Sequence, residues 1–382
     1  MQTSKVACLR ACLVALALGV YGTPGGATGR LCAPIEANTS GAPPAAADKA
    51  VPAPVRIALM LPLRSEALRV PAEAVRAGFM AAWEREKQGF TICLVETGDS
   101  TQEALDNYAA AVAENDMVVG PLARPAVRAV ATSPLLNKPT IALNNLGGTD
   151  IALPQHMLIM GLSIEDEASQ VARWAHAEKP GATALIIGGT SAWQRRIASA
   201  FAAQWKQLGH EAQLLELATI GGWLDEPALA QLKTRLDTEP PGLLFTALEG
   251  TQVRQLRAIL GTALPVYGTS SVNPGAQAFA ELDGMRMLDL PWEVQPDHPA
   301  VMAYPRAPGD KASMDMDRLY ALGIDAYRVA REIALHPASS FKMDGVTGKL
   351  SVSFGQGAAR FERLEAPAVY KAGAFQLVTS GQ

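Results

Sequence analysis

The residues able to do chemistry are few, and their spacing is poor. Ser339-Ser340-Phe341-Lys342 satisfies S-x-x-K, which sets a lysine amine one helical turn from a serine nucleophile. That chemistry needs a helix N-terminus and S-D-N and K-T-G partners, and both partners are absent. Gly345 to Leu350, GVTGKL, looks like a truncated phosphate loop, but the glycine spacing is short and Leu350 stands where a metal-binding hydroxyl belongs. A hairpin turn fits better. His176-Ala177-Glu178 has no P-C-x-x-C to complete a zinc deaminase site. His156, His176, His210, His298 and His336 are scattered, without ligand spacing. H-E-x-x-H, G-x-S-x-G and G-x-G-x-x-G do not occur. Asp297-His298 lies in DLPWEVQPDHPAVMAYPR, but adjacent side chains diverge, and Pro296 and Pro299 stiffen the chain on both sides. The stretch reads as a structural cover or a protein-contact surface, with Trp292, Asp297, His298 and Tyr304 as contact candidates. No catalytic residue, cofactor or metal site is expected.

The elements that would position any site alternate regularly. VRIALML, FTICLVE, MVV and PTIALNN are short apolar runs, and helical patterns separate them. Ser100 with Glu103 has the capping-box spacing, and Pro125 suits the first turn of a helix. Apolar strands without alternation imply a parallel sheet covered on both faces. A second series follows, with ATALIIGG, HEAQLLEL, GLLFTAL and LPVYGTS as strands. A long helix around Tyr320 to Ala330 and terminal β-hairpins, with turns at Gly355–Gly357 and Lys371–Gly373, complete the chain.

The fold class is therefore α/β, with two lobes, each a mostly parallel sheet flanked by helices. Lobe 1 is expected to span 55–145 and roughly 286–336, and lobe 2 to span 146–285 and roughly 337–382. Ligands of open α/β sheets bind beyond the carboxyl ends of the strands, which in two lobes face each other across a cleft. Residues just after strands are the cleft candidates: Arg64, Ser65, Arg124, Asn144, Asn145, Ser191 and Tyr267.

Composition sets the compartment. The formal net charge of -4 excludes the basic stripe of a nucleic-acid binder. Lys5 and Arg10 precede the apolar run Ala11–Val20 and a small-residue stretch, so residues 1–29 read as a signal peptide. Residues 30–54 are a Pro/Ala-rich linker. Cys93 sits in a strand and is expected to be a buried small hydrophobe. Cys32 is a candidate lipid acceptor, although Gly29-Arg30-Leu31 departs from a lipobox, which carries a small residue before the cysteine. A free thiol and a Cys32–Cys93 disulfide stay open.

Several segments, taken together, resemble the LppC/LpoA family of penicillin-binding-protein activators. RIALMLPL, AGFMAAW, VVGPLARPAV, PTIALNN, DLPWEVQPDHPAVMAYPR, RLYALGIDAYRVAR and GVTGKLSV occur in that order, from about Val55 to Phe375. The resemblance implies a type I periplasmic-binding-protein fold and a non-enzymatic role: stimulation of a class A peptidoglycan synthase (a penicillin-binding protein) from the periplasm, anchored at the outer membrane by a lipid. Longer family members carry an N-terminal helical-repeat domain, whereas here a linker reaching about 75 Å precedes the binding-like region. IALMLPL and AGF are shared with branched-chain amino-acid receptors, which keeps a solute receptor of an ABC transporter or sensor, with an amino-acid-like ligand in the cleft, as the alternative. Such receptors offer hydroxyls and free amides at the helix after GP. Leu122-Ala123-Arg124-Pro125 lacks the hydroxyls and Pro125 removes one amide donor, so Arg124 is expected to close the cleft by an inter-lobe contact, with pairing of a ligand carboxylate as the other reading.

Overall fold

The computed structural model describes residues 53–147, 151–306 and 313–378. The signal, most of the linker and Cys32 lie outside the described residues. Lobe 1 opens with β1 (Val55–Leu61), α1 (Arg69–Arg85), β2 (Phe90–Glu96), α2 (Thr101–Glu114), β3 (Met117–Val119), α3 (Arg124–Ala131), β4 (Thr140–Ala142) and β5 (Met157–Ile159). These strands form a five-stranded parallel sheet in the order β2-β1-β3-β4-β5. Residues Ile57 to Leu61 of β1 are all fully buried, as a central strand covered on both faces requires. Cys93 is buried in β2 and is disulfide-bonded.

Lobe 2 follows with α4 (Ile164–Glu178), β6 (Ala184–Gly188), α5 (Ala192–Gln207), β7 (Ala212–Glu216), a short β8–β9 hairpin (Thr219–Ile220, Trp223–Leu224), α6 (Glu226–Thr238), β10 (Leu243–Ala247), α7 (Gly250–Leu260), β11 (Val266–Gly268) and β12 (Arg286–Asp289). The chain then returns through α8 (Pro291–Val294), α9 (Pro299–Met302), α10 (Met314–Leu335) and a three-stranded antiparallel sheet of β13 (Ser340–Asp344), β14 (Lys349–Ser353) and β15 (Arg360–Leu364). Finally β16 (Ala366–Lys371) and β17 (Ala374–Leu377) close the lobe 2 sheet, in the order β17-β16-β12-β11-β10-β6-β7.

The chain crosses between lobes at other places than composition suggested. β5 pairs with β4, so the first crossing falls at 160–163 rather than near 145. β12 pairs with β11 and β16 in the lobe 2 sheet, which puts the second crossing at Asp289–Pro291. The β13–β15 sheet, expected in lobe 2, packs Leu350, Val352 and Phe354 into the same core as α1 and α10. The third crossing therefore falls at 364–366. Which sheet a short apolar run joins depends on pairing partners distant in sequence, and composition carries no trace of them.

Two family-like segments meet in the tightest helix contact of lobe 1. Gly78 in AGF faces α10, and Gly323 in ALGID faces α1. A Cβ on Gly78 would overlap the Tyr320 carbonyl, and one on Gly323 would overlap that of Val75. The glycines let the two backbones touch, and Tyr327 then fits against Phe79 with ring centroids 5.3 Å apart.

Candidate functional site

The ends of β3, β4 and β11, with the start of α4 and α10, enclose a cleft of about 660 Å³ between the lobes. Three of the seven sequence candidates line it together: Arg124, Asn144 and Asn145. The N-terminus of α3 carries Pro125 in its first turn and has no side-chain cap, as the sequence implied. Arg124 makes no ion pair among the described residues, and its methylenes lie against Gly147. The expected inter-lobe contact of Arg124 is therefore not formed.

The other four candidates have structural work elsewhere. Arg64 pairs with Glu103 and donates to the Glu96 carbonyl at 2.9 Å. Glu103 turns toward Arg64 and the Gly98 amide, so only the Ser100 half of that capping box forms. Ser65 is buried, and its Oγ accepts from the Leu68 amide at 2.9 Å. Ser191 forms the capping box of α5 with Gln194, which in turn donates to Gln252 at 2.8 Å. Tyr267 points into the lobe 2 core and donates to Glu178 at 2.7 Å. Burial, then Glu178, raises its phenol well above the ordinary range.

Two contact candidates are also corrected. Trp292 is fully buried, under the Arg306 guanidinium at 4.5 Å and beside Tyr320. Tyr304 is 9% exposed and belongs to the lobe 1 core. A proline-rich stretch carrying large aromatics looked like a surface, but its aromatics are the plug beneath it. Asp297 is exposed, and His298 caps α9 by accepting from the Ala300 amide at 3.2 Å. Among the other motif residues, Lys342 stands on a strand rather than a helix, and His176 pairs with His210 at 2.7 Å. Among the described residues no group of three or more potential ligands could hold a metal.

What the sequence reading missed is the charge lattice at the crossings. Asp289, the last residue of β12, is fully buried. Arg318 of α10 reaches it across the lobes at 2.8 and 3.2 Å and donates to the Ser270 carbonyl at 3.1 Å. Burial disfavours the Arg318 charge, but Asp289 outweighs it and holds the guanidinium protonated. Glu167 of α4 accepts from the amide and the hydroxyl of Ser270, both at 2.9 Å. Burial, then the nearby Asp289, pushes Glu167 up to about 7. Glu293 is pushed to about 7 by the same two causes. At the first crossing Arg363 donates to the Gly161 and Met160 carbonyls at 3.0 and 3.1 Å. Asp325 of α10, also fully buried, accepts from the Val346 and Thr347 amides and the Thr347 hydroxyl. The loop that looked made for phosphate thus holds an anion, and the anion is the chain's own Asp325. An acid and a base lying far apart in sequence give no local signal. The visible cue was charge placed inside otherwise apolar runs, as in LDLPW and LGIDAY.

In the cleft both oxygens of Glu167 engage one residue, Ser270, as a turn-capping carboxylate does.

Residues 50–363 match a protein family described as "LppC putative lipoprotein". Among curated relatives, the chain is 26% identical over 328 residues to penicillin-binding protein activator LpoA of Photobacterium profundum, covering 78% of this chain and 53% of that one. The chain spans about half the length of the curated relatives it matches. Among solved structures, the LpoA C-domain of Haemophilus influenzae, described as a regulator of PBP1A, superposes with TM-score 0.67 at 22% identity, over 85% of this chain and 100% of that one. A structure from Chromobacterium violaceum, described as a "putative branched-chain amino acid ABC transporter", superposes with TM-score 0.68 at 31% identity, over 83% of this chain and 100% of that one. These neighbours bear out the two-lobed periplasmic-binding-protein-like fold.

Proposed function

We propose that this chain, which belongs to the LppC family across residues 50–363, is a non-enzymatic periplasmic activator of a class A peptidoglycan synthase. Its binding-protein-like lobes serve protein contact. The observation that carries this reading is the state of the cleft. The Ser270 amide and hydroxyl stand beyond the carboxyl end of β11, where a solute would be held, and they are taken by Glu167. Arg318 ties Ser270 and Asp289 to the opposite lobe. A receptor spends such groups on its ligand. Here they bond internally, which leaves a two-lobed scaffold whose outer surface is free for a partner. The test is glycan-strand synthesis by the synthase of the same organism, with and without the mature chain. Stimulation supports the activator reading, and its absence, with no complex in a pull-down, sinks it.

A second reading, a solute receptor for an amino-acid-like ligand, keeps one specific support. Arg124, unpaired among the described residues, faces the cleft beside Asn144 and Asn145. A guanidinium there fits a carboxylate. Native mass spectrometry of the purified chain tests it: a bound small molecule that disappears in Arg124→Ala supports the receptor, and a bare mass counts against it.

A further inference from the structure

A second cavity, of about 860 Å³, lies between α4 of lobe 2 and the β13–β15 sheet of lobe 1. It shares only Asn145 with the lining of the cleft, so it is a separate place. One wall is a face of α4. Asp166, Ser169, Gln170 and Arg173 stand three, four and seven residues apart, on one side of the helix. The other wall is two rungs of the small sheet, Ser340–Ser353–Arg360 and Lys342–Ser351–Glu362, while Phe341 and Phe361, on the opposite face of their strands, pack against the lobe 1 core. Glu365, at the third crossing, also lines the cavity; its Oε2 is buried without a hydrogen-bond partner, while its amide donates to Gln170 at 3.1 Å.

The charges of this groove are unspent. Lys342, Arg360, Asp166 and Glu362 form no ion pair among the described residues. Geometry keeps Lys342 from Glu362: they flank Ser351 on one rung, and two strand spacings put their backbones about 10 Å apart. An extended chain of about three or four residues covers that span at about 3.3 Å per residue. A ligand that satisfies both ends carries a carboxylate and an ammonium, with hydrogen-bonding amides between them for Ser169, Ser351 and Gln170.

We propose that this groove binds a short zwitterionic peptide laid across the rungs, its carboxylate at Lys342 and its ammonium at Glu362 and Asp166. The peptide spans both lobes beside the first and third crossings, so its binding fixes their angle. That its natural source is a stem peptide of the cell wall rests on the activator reading, whereas the peptide chemistry stands on the groove alone.

Calorimetry on the mature chain tests this with four ligands: a cell-wall tetrapeptide bearing a free diaminopimelate ammonium, the same peptide on its disaccharide, the disaccharide alone, and a tetrapeptide of unrelated sequence with like charges. The expected result is saturable binding of both stem peptides and none of the disaccharide. Lys342→Ala and Glu362→Gln, both at exposed strand positions, each weaken binding about tenfold or more, and Arg124→Ala in the cleft leaves it unchanged. Melting curves of the variants verify that they fold. Absence of saturable binding at millimolar peptide overturns the proposal, as does binding lost in Arg124→Ala but kept in Lys342→Ala. Equal binding of the unrelated peptide overturns the cell-wall source while keeping the peptide site. Synthase stimulation, read separately on the wild type, tells failure of the activator reading apart from failure of this site.

Discussion

Replacing Glu167 by Gln isolates the protonation chemistry of the crossing. Gln keeps the shape, and its amide can still accept from the Ser270 amide and meet the Ser270 hydroxyl. It cannot ionise. In the folded chain burial and Asp289 raise Glu167 from 4.5 to about 7. A raised acid binds its proton more tightly in the native state than in the unfolded one. Its contribution is therefore fully present below about pH 4.5 and is lost as pH rises through about 7. A shift of that size, at about 1.4 kcal/mol per unit, makes the loss about 3 kcal/mol. For a folded region of about this size that is about 4 °C in Tm. Wild-type Tm should thus fall between pH 5 and pH 8, the reverse of what salt-bridged carboxylates produce. The E167Q curve should meet the wild type near pH 5 and lie about 4 °C above it at pH 8. A residual fall remains, because Glu293, also near 7, still titrates. Differential scanning fluorimetry across that range reads both curves. Parallel curves, or E167Q lying below the wild type at pH 8, would refute the reasoning, because Glu167 would then be ionised at little cost throughout.

Four further substitutions probe the scaffold. Asp325→Ala strips the acceptor from the Val346 and Thr347 amides and leaves Arg328 without its 3.0 Å partner, so unfolding free energy should drop by about 3–5 kcal/mol in denaturant titration. Gly78→Ala or Gly323→Ala forces α1 from α10 and should cost about 3 kcal/mol by the same titration, with the double variant less than additive because both act on one contact. Trp292→Ala should cost about 3–5 kcal/mol, since the indole is core. An unchanged melting curve with lost partner binding would return Trp292 to the surface role that its sequence context suggested.

The α/β alternation, the Ser100 and Pro125 helix starts and the terminal hairpins were legible because each rests on local signals: apolar runs, caps and turn glycines. Lobe membership was not, because β5, β12 and the β13–β15 sheet are placed by pairings across the chain. The cleft was legible in part. Arg124, Asn144 and Asn145 follow strands and do line it. Ser65 and Ser191 follow the same rule but are used up by their own turns, which a residue count after a strand cannot reveal. The pairs Arg318–Asp289 and Glu167–Ser270 join residues 29 and 103 positions apart, and they become visible only when the lobes are assembled.

The proposal that a chain with a receptor's fold and a self-bonded cleft works by touching a synthase is tested by the rate of glycan-strand polymerisation by the cognate class A synthase as the mature chain is titrated in. The expected result is a saturable increase that added amino acids do not alter and that Arg124→Ala retains. A flat titration, with no complex detected between the two proteins, would contradict it.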